Sequence, residues 1–159
     1  DTLLDFPPVS QALEDPDGLL AVGGDLRSAR LINAYQHGIF PWYQDDQPIL
    51  WWSPALRMAL APEQLRVSRS MRKILRKQPY RVTLDTAFQE VIEHCADVRE
   101  DDGTWITPEM QEAYCQLHEQ GVAHSVEVWE DDQLVGGLYG IAMGQHFWFL
   151  CKDDAVNIY

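Results

Sequence analysis

The sequence lacks the features that mark membrane, secreted and metal-binding proteins. It has no apolar run near the roughly 18 residues that a membrane helix needs, and no charged segment leading into an apolar one as in a signal peptide. Its cysteines are Cys95, Cys115 and Cys151, and no pair has the Cys-x-x-Cys spacing of a redox or zinc motif. We therefore expect a cytoplasmic protein without a membrane partner or a disulfide framework.

Familiar catalytic spacings are also missing. None of the five histidines belongs to a two-histidine helical pair of the metalloprotease type, so no metal site is expected. His124 falls in an alternating strand pattern, which favours a core or cross-strand role. Gly23-Gly24-Asp25 is interpreted as a turn, because no Gly-Lys-Ser/Thr follows to form a phosphate cradle. The residues alone assign no catalytic group.

Acidic residues are absent from one long stretch of an otherwise acidic chain. The net charge of −13 would disfavour a nucleic-acid partner through long-range repulsion, yet no carboxylate occurs between Glu63 and Asp85. Seven of the twelve Lys and Arg residues fall within positions 66–81. They are Arg66, Arg69, Arg72, Lys73, Arg76, Lys77 and Arg81. A helix capped by Ser68 or Ser70 and running to Gln78 would collect five of these cations on one face. Such a face is either an ordinary solvated surface or a contact for a polyanion.

Aromatic residues are concentrated in the segment from Tyr35 to Pro54. Three of the six tryptophans lie there within eleven positions, beside Pro41 and Pro54, which fix φ and remove a backbone donor. This composition predicts a stiff loop rather than a regular element. The rings form either a small buried core or a surface for a flat ligand.

Hydrophobic periodicity predicts a mixed α/β (α+β) protein. We expect helices over 26–37, 86–96 and 108–121, and strands over 80–84, 122–130 and 134–141. The pair Gly136-Gly137 suggests a bulge or the close approach of a ligand. Ala61-Pro62-Glu63 predicts a boundary between an aromatic-rich domain, residues 1–61, and a second domain, residues 62–159.

Six short segments occur in an order that resembles the leucyl/phenylalanyl-tRNA–protein transferases. The segments occupy 16–26, 38–42, 51–54, 68–70, 104–107 and 123–127, and the resemblance runs from about Phe6 to Phe147. They include Gly38-Ile39-Phe40-Pro41-Trp42, Trp51-Trp52-Ser53-Pro54, Thr104-Trp105-Ile106-Thr107 and Ala123-His124-Ser125-Val126-Glu127. The resemblance implies that the second domain is a partial N-acetyltransferase-like (GNAT) fold.

The same resemblance implies an aminoacyltransferase of the N-degron degradation pathway. Such an enzyme moves Leu or Phe from aminoacyl-tRNA to a protein beginning with Arg or Lys, with no metal, acyl-CoA or other cofactor and no DNA partner. Matching positions for the aminoacyl and adenosine pocket are Tyr35, Trp42, Trp105 and Leu138. Matching positions for the tRNA backbone are Arg69, Lys73, Arg76 and Lys77.

The resemblance ends after Phe147. Family members continue with a Gly-Glu-Ser-Met-Phe segment and a later Asp-x-Gln element that carries the acid/base role, whereas this chain continues from Trp148 to Tyr159. We therefore expect a member truncated within its catalytic domain, with no catalytic residue assigned and with Trp148, Phe149 and Leu150 exposed. The alternative is a non-catalytic RNA-binding or degenerate fragment. An acyl-CoA-dependent acetyltransferase is disfavoured, because no glycine-rich pyrophosphate loop follows the hairpin.

Overall fold

The structure is a computed structural model that describes residues 5–97 and 106–150. Its first half contains β1 (Leu19–Val22), α1 (Ser28–Gln36), β2 (Phe40–Pro41) and β3 (Leu50–Trp52). Its second half contains α2 (Arg69–Lys77), β4 (Arg81–Leu84), α3 (Phe88–Asp97), α4 (Pro108–Glu119), β5 (Ala123–Glu130), β6 (Gln133–Met143) and β7 (His146–Phe149). Short 3-10 helices occupy Val9–Gln11 and Pro62–Gln64. The mixture of helices and strands confirms the predicted α/β class.

The first three strands form a small antiparallel sheet in the order β1-β3-β2. Trp51 pairs with Pro41, and Trp52 pairs with Phe40. The prediction that these rings lie on a loop is therefore wrong for Trp51 and Trp52. Strands of two to four residues are too short to show a two-residue periodicity, so the sequence pattern could not reveal them.

The second sheet contains four antiparallel strands in the order β4-β5-β6-β7. The register between β5 and β6 shifts between Val128 and Trp129, which is the bulge that the glycine pair predicted. A Cβ on Gly137 would lie 3.0 Å from Val91 Cγ2, so the close approach here is made by α3 and not by a ligand. Glycine lets this helix pack directly on the sheet.

Helices α3 and α4 have the inward faces that the periodicity predicted, with one difference. Met110, Ala113, Tyr114 and Leu117 of α4 are buried, and the Thr107 hydroxyl accepts a hydrogen bond from the Met110 amide at 3.2 Å as the helix N-cap. In α3 the predicted inward residue Cys95 is only half-buried, while Ala96 is buried. A ten-residue helix packed on a twisted sheet contacts it through a slightly rotated stripe.

One hydrophobic core extends across residue 61. Leu31 and Tyr35 of α1 belong to the same buried cluster as Tyr114, Tyr139 and Ile141. The division into domains 1–61 and 62–159 and the GNAT-like assignment therefore stay predictions, although the segment around Pro62–Gln64 lies on the surface.

The end of the described chain forms an ordered edge strand. Phe149 on β7 is exposed, as predicted, and Trp148 is half-buried against Tyr35 with ring centroids 6.0 Å apart. The prediction that Leu150 is exposed is wrong. Leu150 is only 9% exposed, and its amide donates to the Tyr139 carbonyl at 3.2 Å. Alternation along the strand directs Phe147 and Phe149 to one face and Trp148 and Leu150 to the other, against the core.

Candidate functional site

The tryptophans of the aromatic segment have different environments. Trp51 is fully buried, with its Nε1 donating to the Gly23 carbonyl at 2.8 Å, so the small-core interpretation holds for this ring. Trp42 is 36% exposed, and its ring lies 5.7 Å from the Trp52 ring. Trp52 Nε1 donates to the Trp42 carbonyl at 2.7 Å and fixes the backbone there. Trp42 is therefore a partly exposed ring on a backbone that is held in place.

Tyr35 belongs to the buried hydrophobic core. Its hydroxyl is 2.5 Å from the Tyr114 hydroxyl, and both rings are buried. Burial raises the pKa of both phenols, and the neighbouring Tyr114 hydroxyl raises that of Tyr35 further. Both groups are neutral at ordinary pH. Tyr35 can therefore shape a pocket or pass on a hydrogen bond, but it does not present a charge.

The remaining pocket positions are not brought together with Tyr35. Leu138 is half-buried and pairs with Val126 on β5, while its neighbour Tyr139 is fully buried and packs edge-on against Tyr114. Because side chains alternate along a strand, Leu138 points to the sheet face opposite the one that carries Tyr35. Trp105 lies outside the described residues.

Helix α2 is built as a surface helix. The Ser68 hydroxyl accepts from the Met71 amide at 3.1 Å as its N-cap, and Gln78 ends it in the left-handed conformation at φ 48°. None of its residues is buried. A shallow surface groove of about 680 Å³ is lined by Arg69, Ser70, Arg72, Lys73 and Arg76. The N-cap at Ser68 and the end at Gln78 agree with the helix ends predicted from the sequence.

The cations of α2 have no acidic partners within the described ranges. No carboxylate there lies within 4.0 Å of Arg69, Lys73, Arg76 or Lys77. Arg72 donates to the Val67 carbonyl at 3.0 Å instead. By contrast, Asp25 binds both Arg27 and Arg30, and their hydrogen bonds hold the pKa of Asp25 well below its usual range. The unpaired set on α2 is therefore suited to bind several phosphates.

The sequence did not predict that one carboxylate, that of Glu127, is buried. Glu127 is fully buried and accepts hydrogen bonds from the hydroxyls of Ser125 at 2.6 Å, Thr83 at 2.5 Å and Thr86 at 2.9 Å. Burial by itself raises the pKa of Glu127, but these bonds and one from the Ala87 amide outweigh it and leave the pKa lowered. The alternation Ala123, Ser125, Glu127 was visible in the sequence, yet which face of β5 is buried was not.

Asp85, His124 and His118 form a second polar cluster. Asp85 adopts φ 56° and accepts from the Ser125 amide at 2.9 Å. Its other oxygen is 2.8 Å from His124 Nδ1, while His118 Nδ1 lies 3.8 Å from the carboxylate. His124 is therefore a cross-strand residue, as predicted. The described residues hold no group of three side chains arranged to ligate a metal ion, and no helix among them is long and apolar enough to cross a membrane.

Comparison with protein families gives two matches. Residues 59–151 match the family described as "Leucyl/phenylalanyl-tRNA protein transferase", and residues 24–55 match the N-terminal domain of the same family. The first match ends four residues beyond Phe147, so the similarity continues slightly further than the sequence motifs indicated.

Curated relatives carry the same description. The leucyl/phenylalanyl-tRNA–protein transferase of Stutzerimonas stutzeri is 63% identical over 145 residues, which cover 91% of this chain and 64% of the relative. That of Aromatoleum aromaticum is 63% identical, covering 97% of this chain and 67% of the relative. The Pseudomonas syringae pv. tomato protein is 62% identical, covering 98% and 70%. The chain thus spans about two thirds of the length of these relatives.

Proposed function

Because this chain belongs to the leucyl/phenylalanyl-tRNA–protein transferase family, we propose that it takes part in transferring Leu or Phe from aminoacyl-tRNA to a protein that begins with Arg or Lys. The product would carry a new N-terminal residue that marks the protein for degradation. An activated ester becomes a peptide bond, so the step is downhill and mainly requires positioning, an oxyanion donor and deprotonation of the incoming amine.

The observation that carries this proposal is the unpaired basic face of α2. In a chain with net charge −13, four exposed cations without acidic partners among the described residues would repel one another unless a polyanion neutralised them. Each cation that neutralises a phosphate releases counterions, which gives binding a steep dependence on salt. The proposed role of Arg69, Lys73, Arg76 and Lys77 is therefore to hold the tRNA backbone.

Salt titration of tRNA binding tests this role. Four phosphate contacts predict a slope of about −3 to −4 in a plot of log K against log salt, and the double variant Lys73→Glu/Arg76→Glu should roughly halve it. Arg27→Glu is the control, because it reverses an exposed cation that lies outside α2. Circular dichroism checks that both variants remain folded. Equal slopes for all three proteins would reject α2 as the tRNA contact.

The proposed aminoacyl pocket uses the exposed ring of Trp42, with Tyr35 and Trp105 as the other candidate residues, because Leu138 points to the opposite face of the sheet. Stacking of adenine on an indole contributes about 1–3 kcal/mol, and each buried methylene of a Leu or Phe side chain contributes about 0.8 kcal/mol. Trp42→Ala should therefore weaken binding of an aminoacyl-adenosine analogue. The change in the free energy of unfolding should stay small.

Trp51→Ala is the matched control for Trp42→Ala. Its ring is fully buried, so its removal should cost about 3–5 kcal/mol of stability. A loss of that size for Trp42→Ala would mean that Trp42 is a core residue rather than a ligand surface. Competition between leucyl and aspartyl analogues adds a specificity test, since Tyr35, Trp42 and Trp105 bring no charge to bind the aspartyl carboxylate.

The alternative function is RNA binding without catalysis, which the basic helix alone would also support. The resemblance assigns the acid/base element to a segment that follows these residues in the family. Incubation with charged tRNA and an Arg-initiated peptide distinguishes the two roles: transfer above background would assign catalysis to this polypeptide itself.

A further inference from the structure

Arg57 is held in an unusual environment just after Pro54. Its Nη2 donates to the Gly38 carbonyl and lies 3.5 Å from the Ser53 hydroxyl. Its guanidinium carbon is 5.2 Å from the centroid of the Phe40 ring and 5.1 Å from that of Trp148. The side chain therefore joins the turn after α1, strand β2 and strand β7 at one point.

The charge of Arg57 is not neutralised by these contacts. Its hydrogen-bond partners are a carbonyl and a hydroxyl, and no carboxylate in the described part of the chain lies within 4.0 Å. Partial desolvation lowers the pKa of the guanidinium, as expected for a cation covered by rings and not by an acid. A guanidinium has five N–H donors, and one nitrogen makes both contacts here. Donors therefore remain for a planar, doubly accepting anion.

Arg57 lies near Tyr35, one residue of the proposed pocket. The Trp148 ring that it covers is 6.0 Å from the Tyr35 ring, and the Gly38 carbonyl that it binds follows directly after helix α1. The side chain remains open to solvent on its outer side. An anion that binds Arg57 from this side would lie beside the rings of Phe40 and Trp148. No carboxylate of the described residues occupies that position.

We propose that Arg57 binds the phosphodiester that precedes the terminal adenosine of aminoacyl-tRNA. This inference rests on the proposed function, and it adds a contact at the single-stranded end of the tRNA that is separate from the backbone contacts of α2. The second substrate does not fit the position, because a peptide that begins with Arg or Lys would be repelled by the guanidinium. A phosphate is the anion that the reaction brings to an aromatic pocket for adenosine.

Two non-hydrolysable probes test the inference: a phenylalanyl amide of adenosine, and the same compound extended by a 5′ cytidylyl phosphate. For Arg57→Gln, we expect affinity for the phosphate-bearing probe to fall about tenfold, while affinity for the adenosine probe stays within about twofold. The salt slope for the longer probe should become shallower by about 0.7, the value for one single-strand phosphate contact. Arg57→Lys keeps the positive charge but loses the planar guanidinium. Its salt slope for the longer probe should therefore stay close to that of the unmodified protein.

Arg66→Gln is the matched control, because it removes an equally charged, exposed side chain from the same surface segment. It should leave both affinities within about twofold. Equal weakening of both probes by Arg57→Gln would overturn the inference and indicate that Arg57 only clamps Gly38, Phe40 and Trp148. Unchanged affinity for the longer probe would overturn it as well. Failure of the proposed function would look different, since the unmodified protein would then bind neither probe.

Discussion

Helices α2 and α4 begin in the same way and serve opposite purposes. Each has a hydroxyl N-cap that accepts from a methionine amide three residues later: Ser68 to Met71 in α2, and Thr107 to Met110 in α4. Helix α4 buries four side chains, whereas α2 buries none. Capping therefore determines where a helix starts, while its face determines whether it supports the core or meets a partner. Most helical stability comes from packing, so α2 depends on its caps and its context.

The largest test of this difference removes one leucine from each helix. Leu117→Ala empties a fully buried position and should lower the free energy of unfolding by about 2–5 kcal/mol. Leu75→Ala removes a side chain that is 58% exposed and should change it by about 0.5 kcal/mol or less. Urea denaturation measures both values. Similar losses would mean that α2 packs on a surface as α4 does, and the contrast would fail.

A second test concerns polar groups, which are buried in the sheet and exposed on α2. Glu127→Gln keeps the shape of the side chain but replaces an acceptor oxygen with a donor that faces hydroxyl and amide donors. We expect a loss of about 1–3 kcal/mol in unfolding free energy. Glu130→Gln, on the exposed end of the same strand, is the control and should stay within about 0.5 kcal/mol. A neutral result for Glu127→Gln would show that the hydroxyls can turn to accept from the amide nitrogen instead.

The caps themselves provide a smaller and sharper test. Thr107→Ala should lower global stability by about 0.5–2 kcal/mol, because the helix it caps is part of the core. Ser68→Ala removes an equivalent hydrogen bond, but it should mainly increase amide exchange within α2 and leave the urea midpoint nearly unchanged. Hydrogen exchange and urea titration together separate the two outcomes. If the midpoint fell equally in both variants, α2 would be coupled to the core.

The smallest expected effect is a dependence of stability on pH at Asp85. Partial burial raises its pKa, but hydrogen bonds from His124 and the Ser125 amide, with attraction from both histidines, leave it below 3.8. A depressed carboxyl pKa stabilises the fold at pH values above the unfolded pKa, and this contribution is lost as the pH falls through the folded pKa. The stability difference between the unmodified protein and Asp85→Asn should therefore stay level above about pH 5 and shrink as the pH falls below it.

Lys73→Gln on α2 is the control for this pH series. Lys73 is an exposed residue on a different element from the Asp85 cluster, so its stability difference should stay constant while that of Asp85→Asn shrinks. A constant difference for Asp85→Asn would mean that the carboxylate has no net stabilising contacts. Measurement of the urea midpoint at several pH values gives both curves.

Much of the second half of the fold was predictable because its signals are local. The ends of α2 and α4 depend on a capping residue and on the Pro or Gly within a few positions, and both were located within one or two residues. Strands β5 and β6 are eight and eleven residues long, which is enough for alternation to show. The sheet of β1, β2 and β3 was missed because no strand in it is longer than four residues.

The candidate site was predictable only in part. The basic set on α2 followed from charge counting, because an exposed helix face can be read directly from its sequence. The pocket positions Tyr35 and Leu138 came from resemblance, and their placement on opposite sheet faces depends on how α1 packs against β6. Arg57 gave no signal of its own, since a single arginine in a loop has no period or spacing.

The sequence by itself determined the helix boundaries, the α/β class, the charge separation and the family, because each rests on neighbouring residues or on linear motifs. Only the tertiary structure decided that Glu127 is buried, that Trp51 is core while Trp42 is exposed, and that Arg57 covers the rings of Phe40 and Trp148. These facts join residues far apart in the chain. Which face of a strand is covered, and by what, is decided by the elements that pack on it, and local sequence carries no record of that choice.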